Sequence, residues 1–513
     1  MAKSGDVKTE PPAAPSVGRR SRRPRAARGA FTSGPLVTRD AALFTDLYEI
    51  TMAASYLRQG MRGPATFSLF ARRLPRGRSF LVAAGLEDVL NFLRDFRFSD
   101  DALSYLDSLD LFDPSFLEFL RRLRFTGEVR AVPEGTVVFP DEPLLEITAP
   151  IIEAQLVETA VLNLIHFQTL LTSKAARCVL AAGKRPVVEF GLRRTHGIDA
   201  GMKAARCAFI AGASTSSNVL AGLYYGIPPT GTMAHSYVSA FPHEIDAFRA
   251  FVQAFPTRST LLIDTYDTVV ATRKAVAVAK EMEAQGRRLA GVRLDSGDIV
   301  TLSKQVRSIL DEAGLGYVQI FVSGGLDEDS IDEYLAKGAP IDAFGVGTRM
   351  DVAADAPYLD MAYKLVEYDG RPVLKTSAGK ATWAAQKQVY RLLLSGEEFL
   401  GDVLALREEP PPPGTVEILL RTVMARGRLL APHPALTTIR EYCAAQVASL
   451  PDDIRLLHNA STYPVSYSQR LISLQRSMES EVEATEVAPI ESQKTSPWNP
   501  KGSGLAQYGT LDA

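Results

Sequence analysis

The chain has 513 residues, 46% hydrophobic and 23% charged, with a formal net charge of −2. These proportions fit an ordinary globular protein of two or three domains, and the near-neutral balance argues against general nucleic-acid binding. Three cysteines, Cys178, Cys207 and Cys443, lie far apart without metal-ligand spacing, which suits a reducing cytoplasm and argues against a disulfide framework.

In chain order, residues 1–30 carry eight Lys or Arg and two acids among many Ala, Pro and Ser. This composition predicts a disordered basic tail over 1–36. The missing apolar core excludes a secretory signal, and Pro11, Pro12, Pro15 and Pro24 break the amphipathic helix that a transit peptide needs. Residues 37–175 read as an α+β domain. Its helices are TDLYEITMAASYLRQ (45–59), LEDVLNFLRDF (86–96) and DPSFLEFLRRL (113–123), and its strands ATFSLFARRL (65–74) and VRAVPEGTVVF (129–139). The most apolar stretch, 149–171, is interrupted by Glu153, Gln155, Glu158, Asn163 and Gln168. It predicts a buried amphipathic helix rather than a membrane span.

Residues 176–360 repeat a simple unit: a short apolar run, then polar or small residues, then a helical stretch. The runs are PVVEF (186–190), GTMAHSY (231–237), TLLID (260–264), GVRL (291–294), VQIFV (318–322) and IDAFGV (341–346). Segments such as 269–286 and 299–314 have helical spacing and end in glycine. Repeated βα units imply a parallel sheet covered by helices, either a barrel or a doubly wound sheet. Polar residues cluster just after the runs, in GLRR (191–194), DTYD (264–267), RLDSGD (293–298), SGG (323–325) and GVGT (345–348). In a barrel these ends converge on one face, so the barrel is favoured. Beyond 360, YKLVEYDGRPVLK (363–375) has hairpin character around Asp369-Gly370 and is expected to return to the first domain. PPPPG (410–414) marks a loop, 433–476 reads as helical, and 480–513 as a disordered polar tail.

The glycines of SGG and GVGT allow backbone N–H groups to cradle a phosphate. In RLDSGD, Arg293 can clasp a carboxylate or phosphate, while Asp295 and Asp298 can hold Mg²⁺ or a ribose diol. Arg193 and Arg194 supply cations for a polyanion, and Asp264 and Asp267 add acids. No P-loop, no GxGxxG after a strand, and no HExxH or CxxC occurs. Of the six histidines, His166 reads as core or interface, His433 and His458 have no partner motif, His243 reads as solvated, and His196 lies near the mouth. His235 stands at the expected end of a barrel strand.

Nine motifs in order resemble the nicotinate phosphoribosyltransferase family: TDLYE (45–49), GLRR, SSNVLAG (216–222), GTMAHS (231–236), LIDTYD (262–267), GVRLDSGD (291–298), VSGGLDE (322–328), GVGT and YKLV (363–366). The resemblance spans about 40–450 and implies an irregular α/β barrel of the type II phosphoribosyltransferase kind. A discontinuous α+β N-terminal domain completes it, with 361–479 returning to that domain and adding helices. It implies a homodimer that joins nicotinate to 5-phosphoribosyl 1-diphosphate in NAD biosynthesis. It also implies ATP hydrolysis coupled through a phosphohistidine and a requirement for Mg²⁺. Tyr48 would stack on the pyridine ring across the dimer interface. Thr232 and Arg293 would contact nicotinate, and His235 would be phosphorylated. Ser323, Gly324, Gly325, Gly345, Gly347 and Thr348 would bind the ribose phosphate. Arg193, Asp295 and Asp298 would serve diphosphate, ribose and Mg²⁺, and Phe190 would be a second stacking face. Relatives specific for nicotinamide carry an acid near the helix after the second strand; ASTSSN (213–218) has none, which favours nicotinate. The alternatives are a nicotinamide or quinolinate phosphoribosyltransferase, or a non-catalytic barrel that binds phosphorylated metabolites.

Overall fold

In the computed structural model, which describes residues 40–377, 382–394 and 398–487, strands gather into two large sheets of opposite character. The basic tail expected over 1–36 and the polar tail past 487 lie outside the described residues.

The first sheet has seven strands and is antiparallel throughout. Pro64–Ala71 lies between Pro143–Pro150 and Met361–Tyr368, and Arg421–Ala425 pairs with Glu128–Ala131. Segments from both ends of the chain thus form one sheet. Met361–Tyr368 turns at Asp369 (φ 50°) and Gly370 (φ 74°) into Arg371–Pro372, the left-handed pair that a two-residue hairpin requires.

The second sheet is parallel. Its strands are β1 (Val187–Glu189), β2 (Thr215–Ser216), β3 (Thr260–Leu262), β4 (Gly291–Leu294), β5 (Gln319–Ser323) and β6 (Ala343–Val346), in the order β2–β1–β6–β5–β4–β3. Leu261, Leu262, Val292, Leu294, Ile320, Val322, Phe344 and Val346 are fully buried against helices such as Thr268–Glu283 and Ile299–Glu312. Burial on both faces explains why these strands read as continuous apolar runs.

The barrel is irregular where β2 should meet β3. The expected strand over GTMAHSY does not form. One isolated bridge joins Ser216 to Pro229, and Thr230 N–H donates to Ser216 O at 2.9 Å. Pro228 and Pro229 have no N–H to extend the ladder. The chain instead crosses the mouth over 231–234, and His235 opens a short helix, His235–Ser239.

The apolar stretch at 149–171 also differs from expectation. It divides at Val157 into Ile151–Leu156 and Glu158–Ala182, and Gln168 to Cys178 are all buried. The first turns of the second helix are amphipathic as expected, burying Glu158, Val161, Ile165 and Gln168 and exposing Asn163, and the rest runs between two cores. Val161, Ile165 and Leu171 belong to the N-terminal core, and Ala175, Cys178 and Ala182 to the barrel core. The region 433–476 holds one helix, Leu436–Ala448, and a strand, Val465–Tyr467, before the helix Gln469–Val482. That helix and the π-turn Glu483–Val487 carry ordered backbone past the expected boundary at 480. Gln475 anchors it by accepting from Ala384 N at 3.1 Å.

Candidate active site

All six parallel strands end on one side, and residues at or just after the ends of β3, β4 and β5 are joined by side-chain contacts. Arg293, near the end of β4, is the hub. Its Nε donates to Ser323 Oγ of β5 at 2.7 Å, Nη1 to Thr232 Oγ1 at 3.1 Å, and Nη2 to Asp295 Oδ1 at 2.5 Å. The guanidinium lies 5.4 Å from the Phe190 ring centroid, and Phe190 meets Phe321 edge-on at 5.6 Å. Ser323 Oγ also donates to Asp295 Oδ1 at 2.5 Å. Burial would raise the Asp295 carboxyl, but the Ser323 hydrogen bond and the Arg293 charge outweigh it and hold the group below the usual carboxylate range. Asp295 is therefore an anion at neutral pH.

His235 stands beside this hub. Its Nδ1 lies 3.1 Å from Thr265 Oγ1, and its Nε2 is 3.9 Å from Asp295 Oδ2. Thr265 follows β3, and Asp264 before it accepts from Asp295 N at 3.1 Å and Ser296 Oγ at 2.6 Å with Oδ2. Asp264 Oδ1 is buried without a partner. Sequence reasoning passed over Thr265, although its place inside LIDTYD was a usable signal.

The glycine turns have the shapes that the residue types demand. Gly324 has φ +93°, and a Cβ there would overlap the Asp295 carbonyl oxygen. A Cβ on Gly345 would stand 2.8 Å from Phe190 Cδ2, and one on Gly347 2.9 Å from Phe190 O. Thr348 opens the short helix Thr348–Asp351 after β6.

Three expected residues stand apart from the hub. Both oxygens of Asp298 engage Thr301, the Oδ1 capping the helix Ile299–Glu312 and the Oδ2 accepting from the hydroxyl at 2.7 Å. Those bonds hold its carboxyl below the usual range. Arg193 is exposed on the turn Leu192–Arg194. Tyr48 is 47% exposed on the N-terminal domain, where burial and then Glu158 push its hydroxyl upward. Elsewhere, His166 accepts from Leu359 N at 2.8 Å, a structural bond, and His458 faces Asp329 at 3.6 Å. No group of three metal-ligating side chains occurs among the described residues.

Three family profiles match in chain order: the nicotinate phosphoribosyltransferase N-terminal domain over 43–166, the nicotinate phosphoribosyltransferase family over 186–393, and the nicotinate phosphoribosyltransferase C-terminal domain over 412–475. The chain is 51% identical over 435 residues to a nicotinate phosphoribosyltransferase of Mycobacterium tuberculosis, covering 84% of this chain and 92% of that one. It is 38% identical to the Bacillus subtilis nicotinate phosphoribosyltransferase, covering 83% and 93%. The crystal structure of human nicotinic acid phosphoribosyltransferase superposes with a TM-score of 0.76 at 34% identity, covering 85% of this chain and 99% of that one. A nicotinate-nucleotide pyrophosphorylase from Pyrococcus furiosus gives a TM-score of 0.67 at 26% identity, covering 82% and 98%.

Proposed function

This chain belongs to the nicotinate phosphoribosyltransferase family, which serves NAD biosynthesis, and from that premise we propose that it joins nicotinate to 5-phosphoribosyl 1-diphosphate with coupled hydrolysis of ATP. One observation carries the reading. The Arg293 guanidinium is fixed by Ser323, Thr232 and Asp295 against the face of Phe190. A planar cation beside an aromatic face complements a flat aromatic carboxylate.

The ring of nicotinate lies on Phe190 with its carboxylate on Arg293. Its pyridine nitrogen attacks the anomeric carbon, the C1–O bond to diphosphate breaks, and diphosphate leaves. The attacking lone pair carries no proton, so no general base is required. Positive charge grows on the sugar in the transition state, and the Asp295 anion stabilises it. The backbone of Gly324, Gly325 and Gly347, with Ser323 and Thr348, receives the 5-phosphate, and Arg193 receives the diphosphate.

Mg²⁺, when bound, neutralises the departing diphosphate. Asp264 and Asp295 fit it: Asp264 Oδ1 is a buried oxygen with no partner, and Asp264 Oδ2 already touches the Asp295 backbone. Two carboxylates plus substrate oxygens suit a small hard cation. Asp298 is committed to Thr301 and suits it less.

Thr265 engages His235 Nδ1, which leaves Nε2 to attack the γ-phosphorus of ATP. ADP leaves, and the phosphoryl group later passes to water. The working unit is a homodimer. Val219 and Leu223, on the helix Val219–Tyr225, and Ile198, on the adjoining helix, form an exposed apolar face beside the ends of β1 and β2. Such a face is suited to a second copy of the chain, which would bring Tyr48 to the neighbouring mouth. No helix among the described residues is long and apolar enough to cross a membrane. Three scattered cysteines without disulfide or metal-ligand spacing support a cytoplasmic setting for the reaction.

The segment 213–218 carries no acid, and Asn218, which begins the next helix, is spent on Ala221 N and Gly201 O. Labelled nicotinate, nicotinamide and quinolinate, each given phosphoribosyl diphosphate, ATP and Mg²⁺, test the reading. Mononucleotide is expected from nicotinate. No product from nicotinate would overturn it.

A further inference from the structure

Two buried acids stand behind the mouth and have no part in the steps above. Glu189 ends β1 and is 1% exposed; Asp351 ends the helix Thr348–Asp351 and is 5% exposed. β1 and β6 are neighbours, with Glu189 opposite Val346. The two carboxyl groups converge on Gly191: its N–H donates to Glu189 Oε1 at 2.5 Å, and a Cβ on it would overlap Asp351 Oδ2. A hydrogen bond between two carboxyl groups needs a proton, since two buried carboxylates in contact cannot both ionise. Asp351 Oδ2 is buried without a hydrogen-bond partner, so it is the oxygen placed to carry a proton beside Glu189.

Glu189 is fully engaged. Its Oε1 accepts from Gly191 N at 2.5 Å, its Oε2 from the Ser216 hydroxyl, and its backbone carbonyl from Ser217 N at 2.9 Å. It ties the end of β2 to the loop after β1. That loop packs on the turn after β6 with no spare volume. Phe190 N donates to Val346 O at 2.8 Å, and a Cβ on Gly191 would overlap Asp351 Oδ2.

We propose that Glu189 and Asp351 share one proton and act as a positioning pair, clamping the loop that carries Phe190 and Arg193 to the Gly347–Thr348 turn. The pair thereby sets the distance between the two halves of the phosphoribosyl diphosphate site. What that site binds rests on the reading under Proposed function; the pair itself does not.

Burial, and then the Glu189 charge, push the Asp351 carboxyl well above the usual range, with the Gly191 N–H pulling the other way. The elements packed against it are the helix Glu158–Ala182 and the turn Leu192–Arg194. Lys174 and Arg177 of the helix are held by Glu328 and Asp355, and Arg193 and Arg194 of the turn are exposed. For a carboxyl whose folded pKa is raised, the stabilisation is complete below the ordinary carboxyl range and disappears as pH rises through the raised value.

The test compares the wild type with Asp351→Asn, whose amide donates to Glu189 at every pH, and with Asp351→Ala, which cannot donate. Without substrate, the wild-type unfolding temperature should fall toward alkaline pH more steeply than that of Asp351→Asn. In Asp351→Ala, KM for phosphoribosyl diphosphate should rise about tenfold with kcat nearly unchanged, the order expected when a buried acceptor loses its donor. Asp351→Asn should recover the wild-type KM and lose its alkaline rise. Parallel stability profiles for wild type and Asp351→Asn would overturn the shared proton. An unchanged KM in a folded Asp351→Ala would overturn the positioning role. A wild type that makes no nicotinate mononucleotide would count against the reaction instead, and the stability comparison would still decide the pair.

Discussion

Gly345→Ala isolates the contact between Phe190 and Arg293, the proposed ring platform and carboxylate partner. Gly345 lies in β6 between Ser323 of β5 and Val188 of β1. An added methyl carbon would stand 2.8 Å from Phe190 Cδ2 and 2.9 Å from Phe321 Cζ. Carbon pairs at rest sit about 3.5–4.0 Å apart, so the rings must withdraw by roughly 0.6–1.2 Å. They have little room, because each ring meets the other at 5.6 Å and Phe190 also lies 5.4 Å from the Arg293 guanidinium. Overpacking of this sort costs about 1–3 kcal/mol. Gly345 has no positive φ, so alanine adds crowding without backbone strain. If the displacement is felt at the platform, KM for nicotinate rises about 5- to 150-fold, at about 1.4 kcal/mol per factor of ten. The assay varies nicotinate and phosphoribosyl diphosphate separately and records thermal unfolding alongside. Gly325→Ala is the contrast: φ is +68° and nothing lies within 4 Å of its Cβ. It should strain the phosphate turn and raise KM for phosphoribosyl diphosphate, leaving nicotinate alone. A wild-type nicotinate KM in Gly345→Ala, or both variants raising the same KM, refutes the reasoning.

Three further outcomes follow from other parts of the molecule. His235→Ala should abolish stimulation by ATP and leave a measurable ATP-independent rate; equal stimulation in mutant and wild type contradicts the phosphohistidine. Leu223, 71% exposed, carries the dimer proposal, so Leu223→Glu should sediment as a monomer with reduced activity, and a dimer of undiminished activity contradicts it. Lys174, 2% exposed, bridges Glu328 at 2.5 Å and Asp355 at 2.8 Å; Lys174→Met should cost about 1.5–3 kcal/mol in denaturant unfolding, since Glu328 keeps Arg177 and Asp355 keeps Arg78. Burial would raise Asp355, but Arg78 and Lys174 hold it down at about 2. Its contribution is thus present above the ordinary carboxyl range and lost as pH falls toward 2, and the mutant should lose part of that acid dependence.

Much of the barrel is legible in the sequence because buried parallel strands leave a plain mark: an apolar run followed by polar or glycine residues. Five of the six runs coincide with strands β1 and β3 to β6. The sixth fails for a local reason. GTMAHSY has the composition of a strand, but Pro228 and Pro229 precede it and remove the donors that a ladder would use. β2 is too short to register as a period. Within the site, Arg293, Asp295 and Ser323 are visible as types at strand ends, and their mutual bonds follow from adjacent strands. Asp298 illustrates the limit. An acid before a helix is both a ligand candidate and an N-cap, and only geometry shows that Thr301 occupies both oxygens. Glu189 is harder still, because its significance depends on Asp351, which is remote in sequence and meets it only across β1 and β6.

The hub also bears on how nicotinate is told from nicotinamide. Arg293 has five N–H donors. Ser323, Thr232 and Asp295 occupy three, and Met233 O, at 3.5 Å from Nη1, is too distant to hold a fourth firmly. One donor therefore remains on each terminal nitrogen, the pair that forms a fork. Asp295 largely cancels the charge of Arg293, so net attraction contributes little to the choice. With the nicotinate carboxylate on Arg293 as proposed, direction decides it. A carboxylate offers an acceptor to each donor. A carboxamide offers one acceptor and sets its NH₂ against the second donor, losing a charge-assisted hydrogen bond of about 1.5–3 kcal/mol. That is a preference of roughly 10- to 150-fold for nicotinate. The preference survives the acid at the end of β1, because Glu189 is already engaged by Ser216 and Gly191.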